Sequence, residues 1–261
     1  MGRSHLTFDA AQRHLFVEKR VTRDSATGQD RLYYRFRPAR WYGGIFTADC
    51  SGCGLLCRFC WLSDDALFKP DRVGKFYSSE EAARRVASGA RRRGYDQVRI
   101  SGGEPTIGFP HLVGVLERLK GENLRFILET NGILLGFDEK YARELSAYDF
   151  VHARISFKGT SRQEFSLLTG ADPGGFDLQL GSLKNLKRYG VSFHPAVMTS
   201  FSTRQSFATF LAQLRSIDDR LADNVEVEEL ILYPHVVRRL DRHQLRPATG
   251  HQPDRVPPRL I

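Results

Sequence analysis

All four cysteines of the chain lie within eleven positions, and the last three form a C-x3-C-x2-C motif: Cys53, Cys57 and Cys60. A motif this compact places three thiolates on one tight loop, one fewer than the four that close a cubane iron–sulfur cluster. An iron without a protein ligand has an open coordination position, which distinguishes catalytic metal sites from structural ones. The spacing therefore predicts an open cluster, with Cys50 packed as a spare thiol at a strand end.

Three other uses of these cysteines are open. A disulfide framework is disfavoured because the start of the chain has no secretory pattern, and dense cysteines in a reducing compartment suit metal better than bridges. A zinc site on all four cysteines would have its two pairs separated by residues 54–56 alone, against roughly 15 residues in ordinary zinc ribbons. An electron-transfer cluster would need a fourth ligand, which Cys50 could provide at an unusual spacing.

The cysteine motif, with the aromatic Phe59 directly before its third cysteine, resembles the signature of the radical S-adenosylmethionine (radical SAM) enzymes. The resemblance implies a [4Fe-4S] cluster on Cys53, Cys57 and Cys60, whose fourth iron binds the amino nitrogen and the carboxylate of SAM. It further implies that the reduced cluster cleaves SAM to a 5′-deoxyadenosyl radical, which abstracts hydrogen from a substrate. In the same resemblance Phe59 contacts the adenine.

A second motif, Gly102-Gly103-Glu104-Pro105, follows the second predicted strand. Two glycines let a backbone approach a ligand closely, Pro105 fixes the turn, and Glu104 supplies a carboxylate. Alone, the motif is also typical of a tight turn between a strand and a helix. One strand after the cysteines, it resembles the GGE motif of the radical SAM enzymes, which implies a contact with the methionine amino group of SAM.

Two later strand ends carry further candidates. The third strand ends in Glu-Thr-Asn-Gly, which resembles a stretch of the glycyl-radical-activating and deazaguanine-forming branches and implies that Thr130 and Asn131 face SAM. The fourth strand ends near Ser156 and Lys158, which by position could bind the SAM carboxylate or ribose, since a lysine is a point charge suited to a carboxylate. An ordinary turn and a solvent-facing lysine are the alternatives at these two places.

The motifs need a scaffold that brings successive strand ends to one edge, and the rest of the sequence predicts one. Short strands rich in Val, Ile, Leu or Phe alternate with helical segments, which is typical of parallel βα units. The predicted strands are 44–49, 97–101, 125–129, 151–157, 192–198 and 225–232. Helices are predicted to begin at Ser78, Pro110, Asp138, Ser161, position 176 and Thr203. Six βα units predict an α/β protein with a partial (β/α)6 TIM-like barrel, which is also the fold that the resemblance implies.

We divide the chain into three parts. Residues 1–40 form a basic N-terminal extension, in which residues 32–36 are predicted as an edge strand. Residues 41–233 form the single core domain, and residues 234–261 form a basic, proline-rich tail that we expect to be mobile. On the fifth core strand His194 faces inward, either as a substrate or ribose contact or as a hydrogen-bonded structural histidine.

The composition sets limits on the class of protein. The 261 residues are 41% hydrophobic, which supports a core, and no apolar run approaches the ~18 residues of a membrane span. The net charge is +9, but only 8 of the 39 basic residues are lysine, so the charge alone does not establish a nucleic-acid partner. We expect a cytoplasmic monomer without membrane contact, in a compartment that suits an oxygen-sensitive cluster.

The substrate stays open, because the family prepares one radical for many substrates. The single cluster and the Glu-Thr-Asn-Gly stretch are similar to the activating enzymes and predict a macromolecular substrate, a protein that is activated or modified. Trp61, directly after the third cysteine, is similar to the tRNA-wybutosine branch and predicts tRNA instead. A third alternative is a non-catalytic iron–sulfur or zinc protein that binds RNA. The enzyme would also need a reductant protein, a flavodoxin or a ferredoxin.

Overall fold

Nine strands form one mostly parallel sheet in the computed structural model, which describes residues 7–258. The strands are β1 (Thr22–Ser25), β2 (Gly28–Ala39), β3 (Ile45–Cys50), β4 (Lys75–Tyr77), β5 (Gln97–Gly102), β6 (Arg125–Thr130), β7 (Val151–Phe157), β8 (Ser192–Met198) and β9 (Glu226–Glu228). Their order is β1-β2-β3-β5-β6-β7-β8-β9, with β4 on β2, and every pairing from β3 to β9 is parallel. The described strands leave the sheet open, which confirms the predicted α/β class and partial barrel.

All six predicted core strands are present, and five of them begin and end within one residue of the prediction. The sixth, β9, is shorter than the predicted 225–232 because the chain beyond it pairs with a different segment. There the backbone N–H of Leu232 donates to the carbonyl of His251 (2.8 Å), and the N–H of His251 donates to the carbonyl of Leu230 (2.8 Å).

Eleven α-helices lie within the described residues, and five of them begin at a residue whose side chain caps the helix. The hydroxyl oxygens of Ser78, Ser161 and Thr203 each accept a hydrogen bond from the backbone N–H three residues on, and the caps at Ser78 and Ser161 were predicted. The helices are α1 (Ala10–Val21), α2 (Asp64–Phe68), α3 (Pro70–Val73), α4 (Ser79–Arg93), α5 (Phe109–Leu119), α6 (Ile133–Phe137), α7 (Lys140–Leu145), α8 (Arg162–Thr169), α9 (Gly175–Arg188), α10 (Arg204–Ile217) and α11 (Pro234–Arg242). None of these helices combines the length and the apolar character that a membrane span requires.

The two faces of the sheet carry opposite kinds of side chain. On the face covered by helices, residues such as Val98, Ile100, Phe126 and Leu128 are buried in the main hydrophobic core with Leu116 of α5. Because successive side chains of a strand point to opposite faces, the intervening residues line the other face, here called the inner face. The inner face is charged and polar, and it carries Thr47, Asp49, Arg99, Ser101, Glu129, Arg154, Ser156, His194, Glu226 and Glu228.

The N-terminal extension is built into the sheet. The strand predicted at residues 32–36 exists, but the prediction that it lies at an edge is wrong, since β2 pairs with β1, β3 and β4. Helix α1 packs directly on the residues that follow β3, as described below. The predicted boundary at residue 40 and the one at residue 233 stay predictions.

The C-terminal segment differs from the mobile tail that the sequence predicts. Residues 234–242 form α11, whose Val236 and Leu240 are buried in the main core. Pro234 takes the first helical position, where the missing N–H costs nothing. Beyond the helix, the backbone N–H of Ala248 donates to the carbonyl of Ser200 (2.7 Å), so the segment continues along the barrel.

Candidate metal centre

The three motif cysteines lie on the irregular segment between β3 and α2, here called the cysteine loop (residues 51–63). Backbone hydrogen bonds fix its shape: the N–H of Cys60 donates to the carbonyl of Cys57 (3.0 Å), and the N–H of Arg58 donates to the carbonyl of Leu168 in α8 (2.8 Å). The loop therefore presents its thiols from one ordered turn at the carboxyl edge of the parallel strands.

Burial makes these thiols poor thiolates unless a cation is present. It raises the pKa of Cys57 to about 12 and raises the pKa values of Cys53 and Cys60 as well, and the other two thiolates add to the rise at Cys53. Since Cys53 interacts electrostatically with both other thiols and Cys57 interacts with Cys60, the three sulfur atoms share one small region. A cationic metal group that binds them together would supply the missing counter-charge.

The donor set fits a cluster better than a single metal ion. Within residues 7–258, no three His, Cys, Asp or Glu side chains converge as ligands of one ion. In a cluster each thiolate binds a separate iron, so three sulfurs that share a region without converging are compatible with it. A zinc site on all four cysteines is disfavoured by the same result, and Cys50 lies outside the cysteine loop, fully buried at the end of β3.

The Gly-Gly-Glu-Pro turn packs on the cysteine loop through its backbone. The N–H of Gly103 donates to the carbonyl of Cys50 (2.7 Å), and the N–H of Glu104 donates to the carbonyl of Gly52 (2.8 Å). A Cβ atom at Gly103 would lie 2.1 Å from the carbonyl oxygen of Gly52. The absence of a side chain at Gly103 therefore permits the turn to approach the cysteine loop closely. The sequence had predicted that the glycines permit an approach to a ligand instead.

The carboxylate of Glu104 is buried and joins the ends of β5 and β6. Its Oε1 accepts hydrogen bonds from the backbone N–H and hydroxyl of Thr106 (3.0 and 2.7 Å) and from the hydroxyl of Thr130 (2.6 Å). Its Oε2 accepts one from the N–H of Asn131 (2.8 Å). These four bonds match the acceptor capacity of a carboxylate, so the role of Glu104 here is to hold two motifs together. Its contact with SAM stays a prediction.

Asn131 lies beside Cys53 and is hydrogen-bonded to His14, a residue that the sequence did not indicate. Its side-chain amide donates to Nε2 of His14 (2.9 Å) and lies 3.7 Å from the sulfur of Cys53. Nδ1 of His14 in turn donates to the carbonyl of Ala10 (2.6 Å). His14 belongs to α1, and a lone histidine in a basic extension gives no sequence signal for such a position.

Ser156 and Lys158 meet at the carboxyl end of β7. The ammonium of Lys158 donates to the hydroxyl of Ser156 (2.6 Å), which donates to Oε2 of Glu228 (3.0 Å). Within the described chain, Lys158 has no carboxylate within 4.0 Å, and its charge opposes the rise in the pKa of Cys57 that burial causes. Lys158 therefore places a cation near the cysteine loop, and its contact with SAM stays a prediction.

Phe59 lies between the second and third cysteines and is largely buried, with its ring centroid 5.8 Å from that of Phe201. Its neighbour in the chain, Cys60, is a predicted ligand, but the ring of Phe59 packs into the main core. An adenine contact by Phe59 stays a prediction.

The charges of the inner face are mostly paired with one another. Arg99 donates to Glu129 (2.5 Å), and one nitrogen of Arg154 lies 2.6 Å from Glu226 and 2.8 Å from Glu228. Arg35 and Arg37 both donate to Asp49 (2.7 and 2.8 Å). His194 is bonded to Glu226 (3.0 Å) and to His152 (2.7 Å), as the structural alternative for His194 predicts. The wall below the cysteine loop is thus polar and nearly balanced in charge.

Six parallel strands with three thiols at their carboxyl edge define an open α/β barrel with a cluster-type metal site at its mouth. The sequence model of the Radical SAM superfamily matches residues 49–213, which is more than half of the chain. The protein therefore belongs to the radical SAM superfamily, whose members use a [4Fe-4S] cluster and SAM.

The matches to sequence relatives cover only part of this chain and a smaller part of each relative. A GTP 3′,8-cyclase of Peptoclostridium acidaminophilum is 31% identical over 142 residues, which are 54% of this chain and 41% of the cyclase. An uncharacterized protein of Methanocaldococcus jannaschii is 28% identical over 182 residues, 69% of this chain and 55% of that protein. The chain thus spans about half or less of the length of these relatives.

Solved structures share the fold. Native anSMEcpe with bound AdoMet superposes with a TM-score of 0.53 at 22% identity, covering 70% of this chain and 50% of that one. SuiB of Streptococcus suis bound to its precursor peptide SuiA gives a TM-score of 0.53 at 17% identity, covering 76% and 50%. At such identities the likeness extends to the barrel alone.

Proposed function

We propose that the protein is a radical SAM enzyme that holds a [4Fe-4S] cluster on Cys53, Cys57 and Cys60 and cleaves SAM reductively. The observation that carries the proposal is the backbone contact between the cysteine loop and the Gly-Gly-Glu-Pro turn, which joins two motifs that are 42 residues apart in the sequence. When bound, the cluster supplies the electron that converts SAM to methionine and a 5′-deoxyadenosyl radical. A reductant protein, a flavodoxin or a ferredoxin, would provide that electron.

The surrounding residues would bind and orient SAM. Lys158 has no carboxylate within 4.0 Å in the described chain, although its charge lowers the pKa of Glu228, and we assign its ammonium to the SAM carboxylate. Glu104 would act by keeping Thr130 and Asn131 at the barrel mouth. Asn131 would donate to the Cys53 thiolate, a contact that orients a ligand and stabilises its negative charge.

For the substrate we propose a polypeptide. The inner face offers paired charges, since the guanidinium groups of Arg99 and Arg154 are each bonded to a carboxylate. A triphosphate would need unpaired cations, whereas a neutral or zwitterionic peptide segment matches a balanced polar wall. The second candidate is a purine nucleotide, which the GTP 3′,8-cyclases among the sequence relatives favour. A tRNA substrate, suggested by the net charge of +9, is the third.

The cleavage step is tested by anaerobic reconstitution with iron and sulfide, followed by dithionite and SAM. We expect 5′-deoxyadenosine by mass spectrometry, its complete loss in Cys53→Ala, Cys57→Ala and Cys60→Ala, and its retention in Cys50→Ala. A colourless, zinc-loaded protein without SAM cleavage would support the binding-protein alternative. Equal damage from Cys50→Ala would contradict the assigned ligand set.

The substrate class is tested with the same enzyme and fractions of the source organism grown in deuterated water. Hydrogen abstraction transfers deuterium to 5′-deoxyadenosine, so the fraction that labels this product contains the substrate. We expect the label from the protein fraction. Label from the nucleotide fraction or from bulk tRNA would replace the polypeptide by that class.

A further inference from the structure

Helix α11 reaches the far end of the cysteine loop through Arg239. This side chain is only 4% exposed although it carries a charge. Its guanidinium donates to the carbonyl oxygen of Cys60, the third proposed ligand, and to that of Leu62 (2.9 Å). A buried guanidinium costs free energy unless it is paired and hydrogen-bonded. The loop carbonyls are therefore part of what holds Arg239 in place.

A second residue of α11 binds the carbonyl between these two. Nε2 of His235 donates to the carbonyl oxygen of Trp61 (2.6 Å). Three consecutive carbonyls, from residue 60 to residue 62, thus receive hydrogen bonds from side chains of one helix. The conformation of the chain at the third ligand depends on a segment outside the six parallel strands.

The charge of Arg239 is only partly neutralised. Its carboxylate partner is Asp64 (2.5 Å), whose side chain is 52% exposed and also lies 3.6 Å from Arg242. The hydrogen bond from Arg239 lowers the pKa of Asp64. On its other side Arg239 donates to the backbone carbonyl of Cys60, so its positive charge lies beside the third proposed ligand. Its Nε has no hydrogen-bond partner among the described residues, so one buried donor remains.

We infer that Arg239 is a positioning residue for the third cluster ligand, fixing the backbone at Cys60 and raising the reduction potential of the cluster through its charge. The inference rests on the proposed cluster site. Reduction adds a negative charge to a cluster that already carries thiolates. A cation or hydrogen-bond donor beside a ligand therefore stabilises the reduced form and raises the potential.

The electrostatic part is tested by a redox titration of the reconstituted full chain, followed by electron paramagnetic resonance. Arg239→Gln should shift the midpoint potential to a more negative value, whereas Asp64→Asn, at an exposed site, should shift it in the opposite direction. Arg239→Lys keeps the charge and should stay near the wild-type value. Arg238→Gln is the matched control, because it removes the same charge from an exposed neighbour on the same helix.

The positioning part is tested without the cluster, by hydrogen exchange of the cysteine loop. Arg239→Gln should exchange faster than wild type across residues 60–64, and Arg238→Gln should not. If Arg239→Gln does not fold, the electrostatic part is tested by Asp64→Asn: a more positive midpoint potential supports it, and an unchanged or more negative one contradicts it. Unchanged potential and unchanged exchange in a protein that takes up its cluster would overturn this inference alone. A wild-type chain that takes up no cluster would overturn the proposed function and the electrostatic part, while faster loop exchange would still support the positioning part.

Discussion

At the scale of single residues, the carboxylate of Glu104 connects more of the candidate site than any cysteine does. It accepts four hydrogen bonds, and two of them come from the hydroxyl of Thr130 and the N–H of Asn131. A buried acceptor surrounded by donors has a definite chemical requirement, because replacing it by a donor leaves two hydrogens facing each other. The requirement holds whether or not a ligand is bound.

Glu104→Gln should therefore destabilise the protein even without its cluster. The side-chain amide nitrogen of the new Gln must face either the N–H of Asn131 or the donors of Thr106 and Thr130. The loss of one charged acceptor costs about 1–3 kcal/mol. The free energy of unfolding, measured in urea, checks this. Glu144→Gln is the control, since it makes the same change at an exposed position. An equal effect of the two substitutions would contradict the structural role of Glu104.

The sequence predicted the identity of these residues better than their contacts. The cysteine spacing and the Gly-Gly-Glu-Pro motif together predict Cys53, Cys57 and Cys60 as the ligand set, whereas the cysteines alone leave disulfide, zinc and electron-transfer uses open. The partners of Glu104 lie 26 and 27 residues away, and His14 lies 117 residues from Asn131. Such pairs depend on how the barrel closes in space, which no local pattern of residue types expresses.

At the scale of elements, the first helix packs on the cysteine loop with almost no space between them. A Cβ atom at Gly54 would lie 2.1 Å from Nδ1 of His14. Further along α1, the helix meets Gly52, where a Cβ atom would lie 2.7 Å from a methyl group of Val21. Helix α1 therefore shapes the cysteine loop on both sides of Cys53, at Gly52 and at Gly54.

Gly54→Ala should displace either α1 or the cysteine loop. Overpacking of a rigid contact typically costs about 1–3 kcal/mol, so we expect a lower melting temperature and reduced iron uptake. Adding His14→Ala removes the obstructing ring, and the double variant should be more stable than the sum of the single effects allows. Gly174→Ala is the matched control, because a Cβ atom there meets nothing within 4 Å and its backbone is ordinary αR. Strict additivity of the two changes would show that the ring and the glycine do not meet.

The elements that the sequence predicted well are those with periodic patterns. Strands β3, β5, β6, β7 and β8 were found within one residue because each is short, rich in Val, Ile, Leu or Phe, and followed by polar or glycine-bearing residues. Helix α11 was missed because its arginines, and the prolines that follow it at positions 247, 253, 257 and 258, are typical of a mobile tail. Pro234 at the first helical position and the spacing of Val236 and Leu240 were the signals that favoured a helix.

At the scale of the whole molecule, the core holds histidines that are more stable uncharged. His111 accepts a hydrogen bond from the hydroxyl of Tyr33 at Nε2 (3.0 Å) and donates from Nδ1 to the carbonyl of Gln29 (2.8 Å). Burial lowers the pKa of His111 to about 4, lowers that of His152 to about 4, and lowers that of His14 as well. All three shifts have the same sign, so their effects on stability add.

A lowered histidine pKa means that the unfolded chain binds protons that the folded chain does not. The stability contributed by neutral His111 is fully present above pH 6.5 and is lost as the pH falls towards 4. Carboxylates ordinarily stay mostly ionised down to about pH 4.5. Burial raises the pKa of Glu226, but His194 and Arg154 outweigh it and lower that pKa to about 2. Acidic groups therefore contribute little to the change in stability between pH 6.5 and pH 4.5. The histidines should therefore dominate the acid response between pH 6.5 and pH 4.5.

We predict that the free energy of unfolding of the metal-free protein, measured in urea under reducing conditions, falls by a few kcal/mol between pH 7.5 and pH 5. His111 alone can account for up to about 2 kcal/mol of this loss, because each unit of pKa shift that is traversed is worth about 1.4 kcal/mol. His111→Gln should be less stable than wild type at pH 7.5 yet lose less on acidification, since Gln carries no titrating group. His243→Gln, at an exposed position where partial burial and nearby arginines also lower the histidine pKa, should remove only its own part of the slope and leave that of His111. A wild-type stability that is flat across this window would mean that the buried histidines are already solvated in the folded state.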